Sequence, residues 1–216
     1  MDWTAPVDGY CERLDASYWA EPVNALTNLA FIVVAILMWR RCAGMPAGRW
    51  LAGNLFVIGV GSWLFHTHAQ GWAGLADTAP ILAFILAYIF VASRDFLGLS
   101  AFWSGAATAL FIPYAALTVP VFSLIPGLGS SAGYAPVPLL IAGYAVALWR
   151  RRPETARGLA IGAALLCLSI LFRSLDLPLC TRWPLGTHFM WHILNAVMLG
   201  WMIEVWRRDA RVAGIA

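Results

Sequence analysis

The sequence predicts an all-α polytopic membrane protein, a seven-transmembrane-helix bundle with its amino terminus outside and its carboxyl terminus in the cytosol. Three observations carry that prediction. Hydrophobic residues make up 61% of the chain against 12% charged, with a mean hydropathy of +0.74. A soluble domain holds about half apolar and a quarter charged residues. Second, the apolar residues fall into seven stretches of about the length that crosses ~30 Å of hydrocarbon. Third, the arginines are segregated to alternate loops.

The stretches run over residues 23–39, 51–70, 78–91, 101–119, 134–149, 158–172 and 188–206. The third and sixth are short for a span and are expected to extend into the polar residues beside them. Glycine and proline inside them are tolerated as they are in membrane helices generally. One set of loops holds Arg40, Arg41, Arg49, Arg94, Arg150, Arg151, Arg152, Arg157, Arg207, Arg208 and Arg211, and the other only Arg13, Arg173 and Arg182. That bias assigns the first set to the cytosol. An odd number of crossings then satisfies both ends.

The chain reads as one unit over residues 1–216, with an acidic extramembrane segment at 1–22 and a short cytosolic tail at 207–216. "MDWTAPVDGY" has neither a basic n-region nor a short apolar h-region, so the first helix is expected to act as the targeting element. The net charge of +3 is explained by the arginine loops and calls for no nucleic-acid partner. All fourteen basic residues are Arg. With the Ala and Gly content, this points to a GC-rich bacterial genome. The expected location is then the cytoplasmic membrane, with the site toward the periplasmic leaflet (a lumenal one in a cell with organelles). The oligomeric state is silent. Cys11, Cys42, Cys167 and Cys180 form no C-x-x-C pair and read on their own as small buried hydrophobes.

Ionisable groups at membrane depth are costly and mark functional sites. His66 lies near the outer end of the second stretch, His188 and His192 at the outer end of the seventh, and Asp77 at the start of the third. His188 and His192 are i, i+4 and share a helix face. A third histidine brought from another helix completes three neutral imidazoles with an open fourth position, the donor set of a catalytic Zn2+ site, where bound water is acidified to a pKa of about 7. Asp77 then reads as general base and proton donor. Ser62, one turn below His66, reads as hydrogen-bond donor to a developing oxyanion. Asp77 has a second reading as the cap of its helix, being followed by "TAP". His68 points about 200° away from His66 and reads as an interfacial residue. Phe189, Met190 and Trp191 read as packing and lipid-facing.

The amino-terminal segment "VDGYCERLDASYWAEPVN" brings Asp8, Glu12, Asp15, Glu21 and Asn24 together. Dense carboxylates repel unless a cation or a cationic side chain joins them, and hard oxygen donors suit Ca2+. The loop lacks the EF-hand pattern. Its other reading is a solvated acidic tail with helix-capping acids.

On these residues the chain resembles the alkaline ceramidase family, within the wider superfamily that includes adiponectin-type receptors. The resemblance spans nearly the whole chain in three ordered motifs. They are Asp8 with Cys11-Glu12 and "EPVNALTN" from Glu21 to Asn28, then Gly61-Ser62 with His66 and Asp77, then His188 and His192. It implies zinc on His66, His188 and His192, oxyanion assistance from Ser62 and proton handling by Asp77. It also implies calcium on Asp8, Glu12 and Glu21 with a backbone carbonyl near Gly9 to Tyr10, and hydrolysis of a ceramide amide to a sphingoid base and a fatty acid. The chain departs from the family at three points. Two residues rather than one separate Asp8 from Cys11, and Leu14 stands where the family has a ligating Asn, leaving Asp15 or Asn24 as substitutes. The interval from Glu12 to Glu21 is also shorter. Cys11 matches a family cysteine able to form a disulfide, and Cys180, on the same side, is its expected partner in an oxidising compartment.

The expected function is a zinc-dependent intramembrane amidohydrolase acting on ceramide-like lipids. The alternative is a seven-helix lipid receptor or sensor of the same superfamily with a largely structural zinc. A haem protein fits poorly because His188 and His192 share one helix, and no pair of broken helices in similar halves suggests a transporter. Stretches four to six are expected to line the lipid cavity.

Overall fold

The computed structural model describes residues 2–214, so residues 1, 215 and 216 of the unit expected at 1–216 lie outside the described residues. Among the described residues the secondary structure is helical, with a single isolated antiparallel bridge between Pro6 and Gln70.

The apolar stretches are helical among the described residues. The first is α1 (Pro22–Thr27) and α2 (Leu29–Arg41), divided at Asn28. Then come α3 (Pro46–His68) and α4 (Gly71–Val91), the latter running into a π turn over Ala92–Phe96. The fourth is α5 (Ala101–Ala109) and α6 (Phe111–Phe122), and the fifth is a 3₁₀ turn at Gly129–Gly133 leading into α7 (Pro136–Leu148). The last two are α8 (Pro153–Leu179) and α9 (His188–Val212). Helices α3, α7 and α8 start with proline, whose fixed φ and missing N–H suit the first helical position.

Six of these segments are long and apolar enough to cross a membrane: Pro22–Arg41, Gly71–Phe96, Ala101–Phe122, Gly129–Leu148, Pro153–Leu179 and His188–Val212. Segment α3 is not among them, since Arg49, Asn54, His66 and His68 lower its hydropathy. It is nonetheless central, packed between α2 and α4 and touching α9, while α9 also packs on α8 and α2. The core runs through Phe31, Leu55, Ile58, Phe84, Leu159 and Ile203.

Several expected boundaries move. Helix α4 begins at Gly71, so Asp77 lies in its second turn and does not cap it. Helix α9 continues to Val212, with Arg207, Asp209 and Ala210 buried and Arg208, Arg211 and Val212 exposed. The arginines of one loop set are anchored at the end of α9 remote from the histidines. Glu204 accepts from Arg41, Arg207 and Arg208, while Asp209 accepts from Arg152 and Thr155.

Residues 2–20 form a strap over the other end of the bundle. Val7 donates to the Ala69 carbonyl at 2.7 Å, and Trp72 donates to the Trp3 carbonyl at 3.0 Å, fixing the strap to the α3–α4 turn. A Cys11–Cys180 disulfide joins it to the end of α8, with the Cα atoms 5.4 Å apart. The reading of all four cysteines as buried hydrophobes is therefore corrected. Two are bridged, Cys167 is exposed on α8, and only Cys42 is a buried free thiol.

Candidate metal centre and cavity

Three helical turns bring the histidines together under the strap. His66 ends α3, and His188 and His192 occupy the first two turns of α9. All three are about 1% exposed, with ring centroids 4.6–5.1 Å apart. One potential ligand atom from each lies within 4.8 Å of the others, and among the described residues this is the one group of three metal-ligating side chains so gathered.

The partners of the rings decide which nitrogens face inward. His66 Nδ1 lies 2.6 Å from Glu21 Oε2. A carboxylate only accepts, so the proton is on Nδ1 and Nε2 carries the lone pair. The Thr27 hydroxyl gives its proton to the Val23 and Asn24 carbonyls, so it accepts from His192 Nδ1 at 3.0 Å. That again frees Nε2. The nitrogens left buried without a partner are His66 Nε2, His192 Nε2 and His188 Nδ1. Three unsatisfied imidazole nitrogens facing one another, two with their opposite nitrogens held by second groups, fit a metal ion in chemistry and arrangement.

The start of α9 is capped from another helix. Asp176, 2% exposed on α8, accepts from Thr187 and His188 N–H through Oδ1 at 2.7 and 2.9 Å, and from Cys11 N–H through Oδ2 at 3.0 Å. It thus satisfies donors that a helix start leaves free and ties them to the strap. Gly186 sits at φ +68°, and a Cβ there would come within 2.1 Å of Asp176 Oδ1, so the turn into α9 requires glycine. The strap also supplies Tyr10, whose ring stacks on His188 at 3.8 Å. Burial pushes its phenol above its ordinary pKa.

Ser62 and Asp77 stand one turn below the trio. At Gly61 a Cβ would lie 2.1 Å from the Ala76 carbonyl oxygen, so α3 and α4 touch backbone to backbone at the residues preceding Ser62 and Asp77. Pro80 has no N–H to offer that Ala76 carbonyl. Both side chains line an apolar cavity of about 90 Å³ whose other walls include Phe31, Phe84, Tyr134, Trp191 and Met202. The lining comes mainly from α4, α7 and α9. Of stretches four to six, expected to line the lipid cavity, the fifth and sixth do so through Val137, Ile141, Tyr144, Leu159 and Leu166, whereas the fourth, α5–α6, is absent from its lining and packs mainly on α4 and α7. Trp191 is buried against Tyr134 and Arg173, a cavity wall rather than a lipid-facing residue. His68 is exposed and outside the trio, packed on Tyr18 and Trp72.

The residues expected to hold calcium are not gathered around a common point. Asp8 and Asp15 are exposed, and Asp15 accepts from the Ser17 N–H. The Glu12 oxygens accept from the Val23 and Asn24 N–H groups at 2.7 and 2.8 Å, which makes Glu12 the effective cap of α1. Burial raises its carboxyl above the usual range. Glu21 is buried between Arg13 and His66, and Asn24 donates to it at 3.1 Å. Burial works to raise the Glu21 carboxyl, but its bonds to His66 and Arg13 outweigh that and hold it below the usual range.

Sequence reasoning missed Tyr10, Arg13, Thr27, Arg173 and Asp176 as members of this region. The signal available was slight. Arg13 is the one cation among the acids of the amino-terminal segment, and Asp176 is an acid near membrane depth with no assigned role.

A comparison with curated proteins returned no match. A family model described as Ceramidase matches residues 3–207, from the strap through the trio to the end of α9. That match spans nearly the whole chain, and all three motif regions fall inside it. The chain belongs to the ceramidase family.

Proposed function

We propose that the protein is a zinc-dependent intramembrane hydrolase that cleaves the amide of ceramide-like lipids into a sphingoid base and a fatty acid. The observation that carries this reading is the convergence of three partnerless imidazole nitrogens, with His66 one helical turn from Ser62, which together with Asp77 lines an apolar cavity. Membership of the ceramidase family supports amide hydrolysis.

His66, His188 and His192 would hold the zinc, which when bound supplies a Lewis acid and an acidified water. Asp77 takes a proton from the attacking water and delivers it to the leaving nitrogen as the C–N bond breaks, so that amide and water become acid and amine. Ser62 donates a hydrogen bond to the carbonyl oxygen as negative charge develops there. The acyl chain lies in the cavity below, where only a few polar groups interrupt an apolar wall.

In this reading the chain is a single membrane domain over residues 1–216, with α3 as a seventh crossing. At 23 residues, α3 is about 34 Å long, enough to span the hydrocarbon. The strap faces the periplasm or lumen and the arginine-rich end faces the cytosol. The disulfide on the strap side supports that orientation, since disulfides persist in oxidising compartments.

Incubating the purified protein with mixed lipid amides and esters tests the proposal. A free fatty acid and its matching sphingoid base are expected from amides, with turnover reduced roughly 10²–10⁴-fold in Asp77→Asn. Saturable lipid binding with no product over long incubation would overturn it in favour of a receptor.

A further inference from the structure

Arg13 is buried inside the strap, and each nitrogen of its guanidinium donates a hydrogen bond. Nε donates to Glu21 Oε1 at 2.5 Å, Nη1 to the Asp15 carbonyl at 3.2 Å, and Nη2 to the His66 carbonyl at 3.2 Å. The side chains of Arg13 and Glu21 are 5% and 2% exposed. The second Glu21 oxygen takes His66 Nδ1 at 2.6 Å. One carboxylate therefore joins a fixed cation to the outer nitrogen of a candidate metal ligand.

A calcium ion asks for six to eight oxygen donors at 2.3–2.6 Å. Here both Glu12 oxygens are taken by backbone N–H groups, and both Glu21 oxygens by Arg13, His66 and Asn24. Asp8 and Asp15 face solvent. Asn24 Oδ1 and Asn28 Oδ1 are buried without a partner, but two amide oxygens are not a calcium shell of six to eight donors. A guanidinium does not lose its charge in a protein, so a cation placed beside Glu21 would meet permanent repulsion. The residues present do not fit calcium.

We infer that Arg13 is a built-in replacement for that calcium, a positioning residue that acts through Glu21 to hold His66 with Nε2 toward the metal, and that the site of this protein is independent of calcium. Arg13 bonds to both ends of the His66 unit, to its carbonyl directly and to its imidazole through Glu21. Removing the guanidinium frees Glu21 to rotate away from His66 and leaves a buried carboxylate without its counter-ion. The shortened interval between Glu12 and Glu21 and the loss of a ligating residue at Leu14 agree with a segment folded around an internal cation. This inference rests on the reading of the three histidines as a metal site.

The test uses full-length protein in detergent and two measurements. The first is the thermal midpoint of wild-type protein in millimolar Ca2+ and in a calcium-selective chelator. The second is the affinity and d–d absorption of bound Co2+, by competition, for wild type, Arg13→Gln, Arg13→Lys and Glu21→Gln. An unchanged wild-type midpoint is expected. So is cobalt affinity about 10-fold or more weaker in Arg13→Gln and Glu21→Gln, with an altered spectrum. Arg13→Lys, which keeps the charge, is expected to recover part of the loss. A saturable calcium-dependent rise in the wild-type midpoint would overturn the inference. So would an Arg13→Gln protein with lowered midpoint but wild-type cobalt affinity and spectrum, because Arg13 would then be structural only. If Arg13→Gln does not fold, the wild-type calcium titration and the Arg13→Lys cobalt affinity decide. Wild-type protein that takes up no cobalt would overturn the metal reading itself, a result distinct from either failure above.

Discussion

Glu21 Oε2 lies 2.6 Å from His66 Nδ1, across forty-five residues of sequence. That contact fixes the tautomer of the ring and turns the remaining lone pair toward His188 and His192. Outer partners of metal-bound histidines typically contribute about 10–100-fold in metal affinity or activity. Glu21→Gln is accordingly expected to weaken metal retention by about that factor while leaving the helical content intact. Chelator competition alongside circular dichroism measures both.

Asp176 holds the start of α9 to the strap through three backbone N–H groups. Hydrogen bonds to a charged group are worth about 1.5–3 kcal/mol each, and removing the carboxylate leaves buried donors unsatisfied. Asp176→Ala is expected to lower unfolding stability by about 3 kcal/mol and to reduce the bound metal, because His188 loses its anchor. Asp176→Asn, which keeps one accepting oxygen, is expected to fall between. Denaturant titration in detergent with metal analysis reads both effects.

The Cys11–Cys180 bridge closes a loop across 169 residues and places Tyr10 and Arg13 over the histidines. Replacing both cysteines with serine is expected to cost about 2–4 kcal/mol of stability. Metal loss on dilution is expected to speed up as well, since the strap that covers the site then loses its covalent tie to α8. Unchanged metal off-rates in the double variant would show that the strap does not retain the ion.

The cavity runs along α4 from Asp77 to Ala92 and along α9 from Trp191 to Met202. At 1.5 Å per residue these are depths of about 22 and 16 Å. A longer acyl chain would have to reach further along these two helices, so the span from Asp77 to Ala92 sets the limit on chain length. Tyr88, which donates to the Met202 carbonyl at 2.9 Å, and Ala92 form the far end. Ala92→Phe is expected to shift hydrolysis toward shorter acyl chains by several carbons. Competing amides of graded length, with the released acids quantified, check the shift.

The histidine spacing at 188 and 192, the depth of His66 and Ser62, and the apolar stretches were legible because periodicity and membrane cost act on single segments. The start of α4 was not, because "GWAGLA" holds two glycines and reads as loop; packing of its backbone on Gly61 overrides that weak propensity. Arg13 and Asp176 were hidden for another reason. Their partners, Glu21 with His66 and Cys11 with His188, are set by the fold and lie 8 to 165 residues away. The carboxylates of the strap read as needing a cation or a cationic side chain, and the charge that meets Glu21 is Arg13 of the same segment.

The most direct measurement of the central claim is zinc content and lipid-amide turnover followed together through stripping and reloading. A stoichiometric zinc is expected in wild-type protein. Hydrolysis should vanish with the metal and return with it, and both should be lost in His192→Ala. Full hydrolysis by metal-free protein, or stoichiometric metal with no turnover of any lipid amide, would contradict it.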